Sequence, residues 1–455
     1  MINLSGQHWH FIGVGGIGMS ALADMAARFG ASVSGCDREA GPATEALGKR
    51  GVAVRVGHDA KHVAAADVVV YSSAIPESHP ERVAAGGRGI RRGELLAKFM
   101  GEAETSVGVC GTHGKTTTTW LLGHLLVESG FDPALYVGGF VAALPAGNYR
   151  LGQGPFVAEL DESDGSFLMP RLDAAVVTNI ESDHLSHYGD FSALRGAFRQ
   201  YARGVAESGL LVAGIDDPEA EALYDSHSGK KLSFGMGEKA AVRPLSTRVE
   251  SGQRVFRLSR RGEDLGEFRL SLPGEHNLKN ALAALGTALE LGADPEALRS
   301  ALPCARSVGR RLEALGEVSG TPIYSDYAHH PTEVAATIRA VREIAGGKVL
   351  VAFQPHLFSR TRDYADDFAR ALSLADAVVL LDVYPAREDP IPGVDSSLLA
   401  SGMGGIRPGI DVSGPFSVDA VGDEIARRAA DFSVVVMMGA GSIDQAARRL
   451  VGREG

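Results

Sequence analysis

The sequence predicts an α/β protein of three domains. Its length sets the number: 455 residues exceed one ordinary core, and about 150 residues per domain gives about three. The class follows from alternation of β-rich apolar runs with helical stretches, since strands separated by helices assemble into parallel layers. Two glycine turns, each between a strand-like run and a helix, add that two of the layers carry crevices suited to phosphate.

In chain order, WHFIGV reads as the first strand, followed by a helix from about Gly18 to Phe29, then ASVSGC and DVVVYSSAI. These define a Rossmann-like domain over residues 1–104. SVGVC opens a second domain, 105–306, expected to be a P-loop ATPase domain with a mostly parallel sheet. It continues through PFVAELDESDGSF and DAAVVTNIESDHLSHYGDF to an amphipathic helix at Asn277–Leu291. Residues 240–272 read as short strands with polar turns, expected to form a side sheet. After PCARSVGRR a third alternation, TPIYSDYAHHP, KVLVAFQPH, DAVVLLDVY and SVVVMMGAGSID, predicts a Rossmann-like domain over 307–455.

Composition narrows the function. Hydrophobic residues make up 45% and charged residues 22%, and no apolar run approaches the roughly 20 residues that span a bilayer, so a membrane protein is not expected. The first residues lack a basic region of the kind that begins a secretory signal. Cys36, Cys110 and Cys304 are odd in number and widely spaced in sequence, without a metal-ligand pattern, which together predicts a reducing cytoplasm. The formal net charge of −11 with no basic block gives no nucleic-acid footprint. Phosphate must therefore be met locally, by loops.

Gly13, Gly15 and Gly18 in HFIGVGGIGMS match G-x-G-x-x-G, and Asp37 ends the next strand. Such glycines let backbone N–H groups and a helix N-terminus approach a pyrophosphate while the acid takes a ribose hydroxyl. A dinucleotide and a nucleotide-sugar both satisfy the pattern, as does close helix packing alone. The second loop, VCGTHGKTTTT, is a variant Walker sequence: Val109 stands where the motif has its first glycine, with Gly108 and Gly111 nearby. Its essentials remain, namely backbone donors, Lys115 as a point charge for outer phosphates and a Thr116 hydroxyl for Mg²⁺. ATP is the expected ligand. Mg²⁺ needs hard oxygen donors, and the following strands end in Glu159 and in Asp183 with His184.

GTHGKTTTT, ELDESD, TNIESDHL, GEHNLKNALAA, GRRLE, DYAHHPTEV, FQPHLFSRT and LDVYPAREDPI, in this order and with the N-terminal HFIGVGGIGMS, resemble the Mur ligases over nearly the whole chain. The resemblance implies three domains and one ATP-dependent reaction in peptidoglycan precursor synthesis, and so in cell-wall biogenesis, cell shape and division. L-Alanine would be joined to the lactyl carboxylate of UDP-N-acetylmuramate through an acyl phosphate, in the bacterial cytoplasm. The two loops would then serve two phosphates, a UDP-sugar on the first and ATP on the second. The nearest rival is a murein peptide ligase adding a tripeptide to the same UDP-sugar; an NAD-dependent oxidoreductase is the alternative of another class.

Matched motif by motif, the resemblance implies ATP contacts at Gly111, Thr112, His113, Gly114, Lys115, Thr116, Thr117, His276, Asn277 and Asn280. It implies Mg²⁺ at Thr116 and Glu159, with a second ion at His184, and UDP-sugar contacts at Gly13, Gly15, Gly16, Gly18, Asp37, Ser72 and Ser73. Arg310 or Arg311 would reach the phosphates, His329, His330 or Asp326 would position or deprotonate the amine, and His356 with Arg360 would take the amino-acid carboxylate. HLSHYGDFSALRGAFRQYARG contains no lysine, whereas the later-acting branches place a carbamylated lysine there, which agrees with the alanine-adding branch. Leu357 replaces an arginine of better-known members. With one piece supplied by each domain, closure on substrate is expected to exclude water from the acyl phosphate.

Overall fold

A computed structural model describes residues 2–183, 185–386 and 388–452. Three sheets carry the chain, each flanked by helices. The first has five strands in the order Ala53–Val56, Ser32–Asp37, His8–Ile12, Val68–Tyr71 and Gly89–Arg91, parallel throughout. Its strand order reverses between His8–Ile12 and Val68–Tyr71, and such a switch point opens a crevice beyond the strands' C-terminal ends. Gly13 follows one of these strands and Ser72 the other.

The second sheet has ten strands. At its centre Ser106–Cys110 lies between Phe156–Glu159 and Leu172–Val177, parallel to both. All five residues of Ser106–Cys110 are buried, as expected of a strand covered on both faces. The predicted side sheet is corrected: Val242–Glu250, Gln253–Arg260 and Glu263–Leu270 are eight or nine residues long and extend this same sheet at one end. Local polarity and turns marked strands there, but could not say which edge they would join. The amphipathic helix runs over Glu275–Glu290.

The third sheet orders Glu313–Val318, Thr321–Asp326, Val434–Met438, Val349–Phe353, Ala377–Leu381 and Asp411–Phe416, with only the first pair antiparallel. Helix Pro331–Ala345 starts at the proline of AHHP, where a fixed φ and a missing N–H cost nothing.

Two compact units result. One comprises 1–246, 256–268 and 279–305 and holds the first sheet and most of the second; the other comprises 247–255, 269–278 and 306–455. Within the first unit the two layers meet at a buried carboxylate: Asp24 accepts from the Tyr149 hydroxyl at 2.6 Å and pairs with Arg50 and Arg28. Among the described residues no helix is long and apolar enough to cross a membrane.

Candidate functional site

The second glycine loop is built by the strand order around it. Gly111 has φ +132° and Gly114 has φ +83°, values that side chains resist. A Cβ on Gly111 would lie 2.1 Å from the Thr178 hydroxyl, and one on Gly114 would lie 2.4 Å from Asn280 Oδ1. Thr178 and Asn179 follow the neighbouring strand and pin the loop: Asn179 accepts from the His113 N–H through Oδ1 at 2.9 Å and from the Thr112 N–H through its carbonyl at 3.1 Å. The Thr178 hydroxyl donates to the His113 carbonyl at 2.6 Å.

Lys115 begins the helix Lys115–Glu128. Its ammonium donates to the carbonyls of Gly111 at 2.6 Å and Thr112 at 3.1 Å, and pairs with Glu162 at 2.9 Å. Glu162 was not foreseen as a site residue. It is 1% exposed, and burial pushes its carboxyl up to about 7 against the pull of Lys115. Burial works to neutralise Lys115 too, but Glu162 and Asp161 outweigh it and hold the ammonium above its ordinary range. The quoted ELDESD offers four acids, and sequence alone gives no reason to choose the third.

On the other side of the loop strand, the Thr116 hydroxyl donates to Glu159 Oε1 at 2.9 Å, while Glu159 Oε2 accepts from the Gly138 N–H at 2.7 Å. A hydroxyl and a carboxylate, brought together as one hard-oxygen pair, suit Mg²⁺ in donor chemistry. Thr117 is buried in the first turn of the helix, and Asn280 accepts from the Thr118 hydroxyl at 3.3 Å. Asn277 donates to the Pro273 carbonyl at 2.8 Å, and His276 lies against Gly274. Asp183 is buried; His184 lies outside the described residues.

The first loop is fitted differently. The Gly13 and Val14 N–H groups donate to the Cys36 carbonyl at 2.8 and 3.0 Å, and Gly15 N–H donates to Asp37 Oδ2 at 2.8 Å. Asp37 thus braces the loop, which differs from the ribose contact of a dinucleotide site. Gly16 caps helix Ile17–Arg28. Gly18 answers to packing: a Cβ there would come 2.4 Å from the Tyr136 hydroxyl and 3.1 Å from Arg92. Arg92 in turn approaches Asp161 at 3.7 Å and Asp164 at 3.9 Å, so a side chain of the first layer reaches the acidic loop of the second.

In the second unit, Arg310 (φ +58°) stacks on Tyr327 at 4.6 Å, with Arg311 over the same ring at 5.2 Å. The Arg310 guanidinium donates to the Gly439 carbonyl at 2.6 Å, and burial lowers its pKa from the ordinary arginine value. His329 Nδ1 lies 3.3 Å from Glu333, and Glu333 also accepts the backbone N–H groups of His329 and His330. His330 is the N-cap of the following helix, its ring against Tyr364. Asp326 is occupied structurally, accepting from the Leu312 and Ala328 N–H groups at 2.7 and 2.8 Å. The rings of His329 and His356 are 5.9 Å apart, His356 stacks on Tyr384, and Arg360 reaches His356 at 3.5 Å. Leu357 has φ +71°. Tyr327, Glu333 and Tyr384 were missed, since each acts through a partner distant in sequence or through a register visible only once the helix starts.

A nucleotide-type phosphate loop flanked by Thr116 and Glu159, on a chain of three α/β layers, defines an ATP-using α/β enzyme. The chain belongs to the Mur ligase family: it matches the family's catalytic domain over residues 8–103, the Mur ligase middle domain over 156–288 and the Mur ligase glutamate ligase domain over 310–441. It is 44% identical over 442 residues to the UDP-N-acetylmuramate-L-alanine ligase of Renibacterium salmoninarum, covering 96% of this chain and 94% of that one. With the protein of the same name from Kineococcus radiotolerans it shares 45% over 404 residues, 87% and 85% of the two chains. The structure of UDP-N-acetylmuramate-alanine ligase from Thermotoga maritima superposes with a TM-score of 0.84 at 29% identity, covering 98% of this chain and 99% of that one. A murein peptide ligase from Psychrobacter arcticus, at 22% identity and a TM-score of 0.71 over 98% of both chains, shares the fold.

Proposed function

We propose that this chain joins L-alanine to the lactyl carboxylate of UDP-N-acetylmuramate with cleavage of ATP to ADP and phosphate. The observation that carries the reading is near-full-length identity of 38–45% to relatives of that name, combined with a phosphate loop whose lysine is held ready. A free carboxylate is a poor acyl donor because oxide does not leave. Transfer of the γ-phosphoryl group to the lactyl carboxylate forms an acyl phosphate and releases ADP. The neutral alanine amine then attacks the acyl carbon, and phosphate departs with the C–O bond electrons.

Lys115 would exchange its Glu162 and carbonyl partners for phosphate oxygens, neutralising charge as the γ-phosphoryl group moves. Mg²⁺ held by Thr116 and Glu159 would supply Lewis-acid neutralisation of the same oxygens. Thr112, His113 and Thr117 would line the ATP phosphates, with His276, Asn277 and Asn280 toward the adenine; His184 is kept as the second metal ligand. Gly13, Gly15, Gly16, Ser72 and Ser73 would border the UDP-sugar, with Asp37 and Gly18 holding the loop's form. For the amine, the geometry supports His329, whose Nδ1 lies beside Glu333, over Asp326, whose oxygens already serve backbone donors. Arg310 and Arg311 would meet phosphate, and His356 with Arg360 the alanine carboxylate. Domain boundaries near residues 104 and 306, and a bacterial cytoplasmic setting, belong to this reading.

The deciding experiment is phosphate release from Mg-ATP and UDP-N-acetylmuramate with no acceptor, with L-alanine, and with the L-Ala-D-Glu-diaminopimelate tripeptide. Alanine-dependent release is the expected outcome. Release with the tripeptide alone would move the chain to the rival branch, and release with neither would refute the ligase reading.

A further inference from the structure

The first domain contains a buried cluster that the ligase reaction does not use. Glu81, on the short helix Pro80–Ala85, is 0% exposed. Its Oε1 lies 2.7 Å from His62 Nδ1 and accepts from the Asp59 N–H at 3.2 Å; its Oε2 lies 3.0 Å from His58 Nδ1. The Cys36 thiol lies 3.2 and 3.0 Å from the two oxygens and 3.3 Å from His58 Nδ1. His10, 1% exposed, completes the group, with a ligand atom within 4.8 Å of both Cys36 Sγ and a Glu81 oxygen.

A network of hydrogen bonds accounts for the Glu81 contacts with Cys36, His58, Asp59 and His62, while His79 Nδ1, 3.9 Å from Oε2, lies outside it. The network does not account for His10. Nδ1 of that ring lies 2.8 Å from the Ser34 hydroxyl, while Nε2 is fully buried with no hydrogen-bond partner. A buried nitrogen left without a partner is a desolvation cost that a ligand would relieve. A ring held at one nitrogen by a hydroxyl, with the other lacking any hydrogen-bond partner near a thiol and a carboxylate, has the outer hydrogen bond typical of metal-binding histidines.

We propose that His10, Cys36, His58 and Glu81 form a site for one divalent cation of the Zn²⁺ class. Ligand atoms around tetrahedral Zn²⁺ at 2.0–2.3 Å stand about 3.3–3.7 Å apart, and the separations of 3.0–3.3 Å among Cys36, His58 and Glu81 reach that by small rotations. Sulfur and imidazole select Zn²⁺ over Mg²⁺, which distinguishes this site from Thr116 and Glu159. Binding must displace the thiol proton, because burial and then Glu81 hold Cys36 well above the ordinary thiol range. The Cys36 carbonyl meanwhile accepts the Gly13 and Val14 N–H groups, so the ion would sit directly beneath the first glycine loop.

The test uses the full-length chain, stripped with chelator and titrated with Zn²⁺ or Co²⁺ in buffer containing Mg²⁺. One bound equivalent is expected by elemental analysis after gel filtration, with a near-ultraviolet thiolate-to-cobalt band for the Co²⁺ form. Cys36→Ser should abolish the band, and His10→Gln, which removes a direct ligand, should weaken Zn²⁺ binding by at least about 10–100-fold, the loss an outer partner alone would cause, with the circular dichroism spectrum retained. Should the serine variant not fold, the glutamine variant decides alone. No retained ion in the wild type, or unchanged affinity and band in the folded variants, would overturn the proposal.

Discussion

The two glycine loops begin alike, with a buried strand, a positive-φ glycine and a helix, and each is braced from the adjacent strand of its own sheet, yet only the second carries a charge. Loop 13–18 is braced by acceptors within its own sheet, the Cys36 carbonyl and the Asp37 carboxylate. Loop 111–116 is braced in the same way, by Thr178 and Asn179 after the adjacent strand, but it carries a lysine clamped to a buried glutamate. Backbone donors alone suit binding, where the phosphate stays put. A tethered point charge suits transfer, because it can follow a phosphoryl group whose charge moves.

The largest expected effect separates binding from transfer. Lys115→Ala should lower turnover by at least about 10²–10³-fold while UDP-sugar affinity, read by calorimetry, stays within twofold or so. A parallel loss of that affinity would break the distinction between the loops. The next effect is steric. Gly114→Ala would set a Cβ 2.4 Å from Asn280 Oδ1 at φ +83°, whereas Gly15→Ala would meet Asp37 Oδ2 at 2.9 Å without a positive φ. The first should cost about 2–3 kcal/mol in denaturant melts and remove ATP binding; the second should cost less and weaken only the UDP-sugar.

A smaller effect concerns pH. The Glu162 carboxyl sits near 7 in the folded chain against 4.5 ordinarily, so the folded state holds more protons between those values and its stability falls as pH rises through the window. Glu162→Gln should flatten that slope in urea melts run from pH 4.5 to 7.5; an unchanged slope would place the titration elsewhere. The smallest change is Asp37→Asn, which retains an acceptor for the Gly15 N–H. It should weaken UDP-sugar binding only about two- to fivefold, at under 1 kcal/mol, with ATP affinity untouched in the same titrations.

Residues that sit in one local motif were legible: Gly111, Gly114, Lys115 and Thr116 lie in one contiguous string, and Glu159 ends a recognisable strand. Residues that act through a partner were not. Glu162 is one acid among four until the fold buries it against Lys115, and the packing of Gly18 against Tyr136, from another layer, is not visible in the motif. The strands of 242–270 show the same limit, being visible as strands but not as an extension of the central sheet.

What the sequence by itself determined is therefore whatever φ, spacing and periodicity enforce over about ten residues: the α/β class, both loops and the family they spell. The strand order was decided in tertiary structure, and with it the contacts that tune charge. Its clearest product is the group of His10, Cys36, His58 and Glu81. The cysteine looks isolated in the chain, and only two neighbouring parallel strands, the loop after Ala53–Val56 and a short helix bring the four side chains near one another. Desolvation and Coulomb interaction depend on distance in space, which sequence separation does not encode.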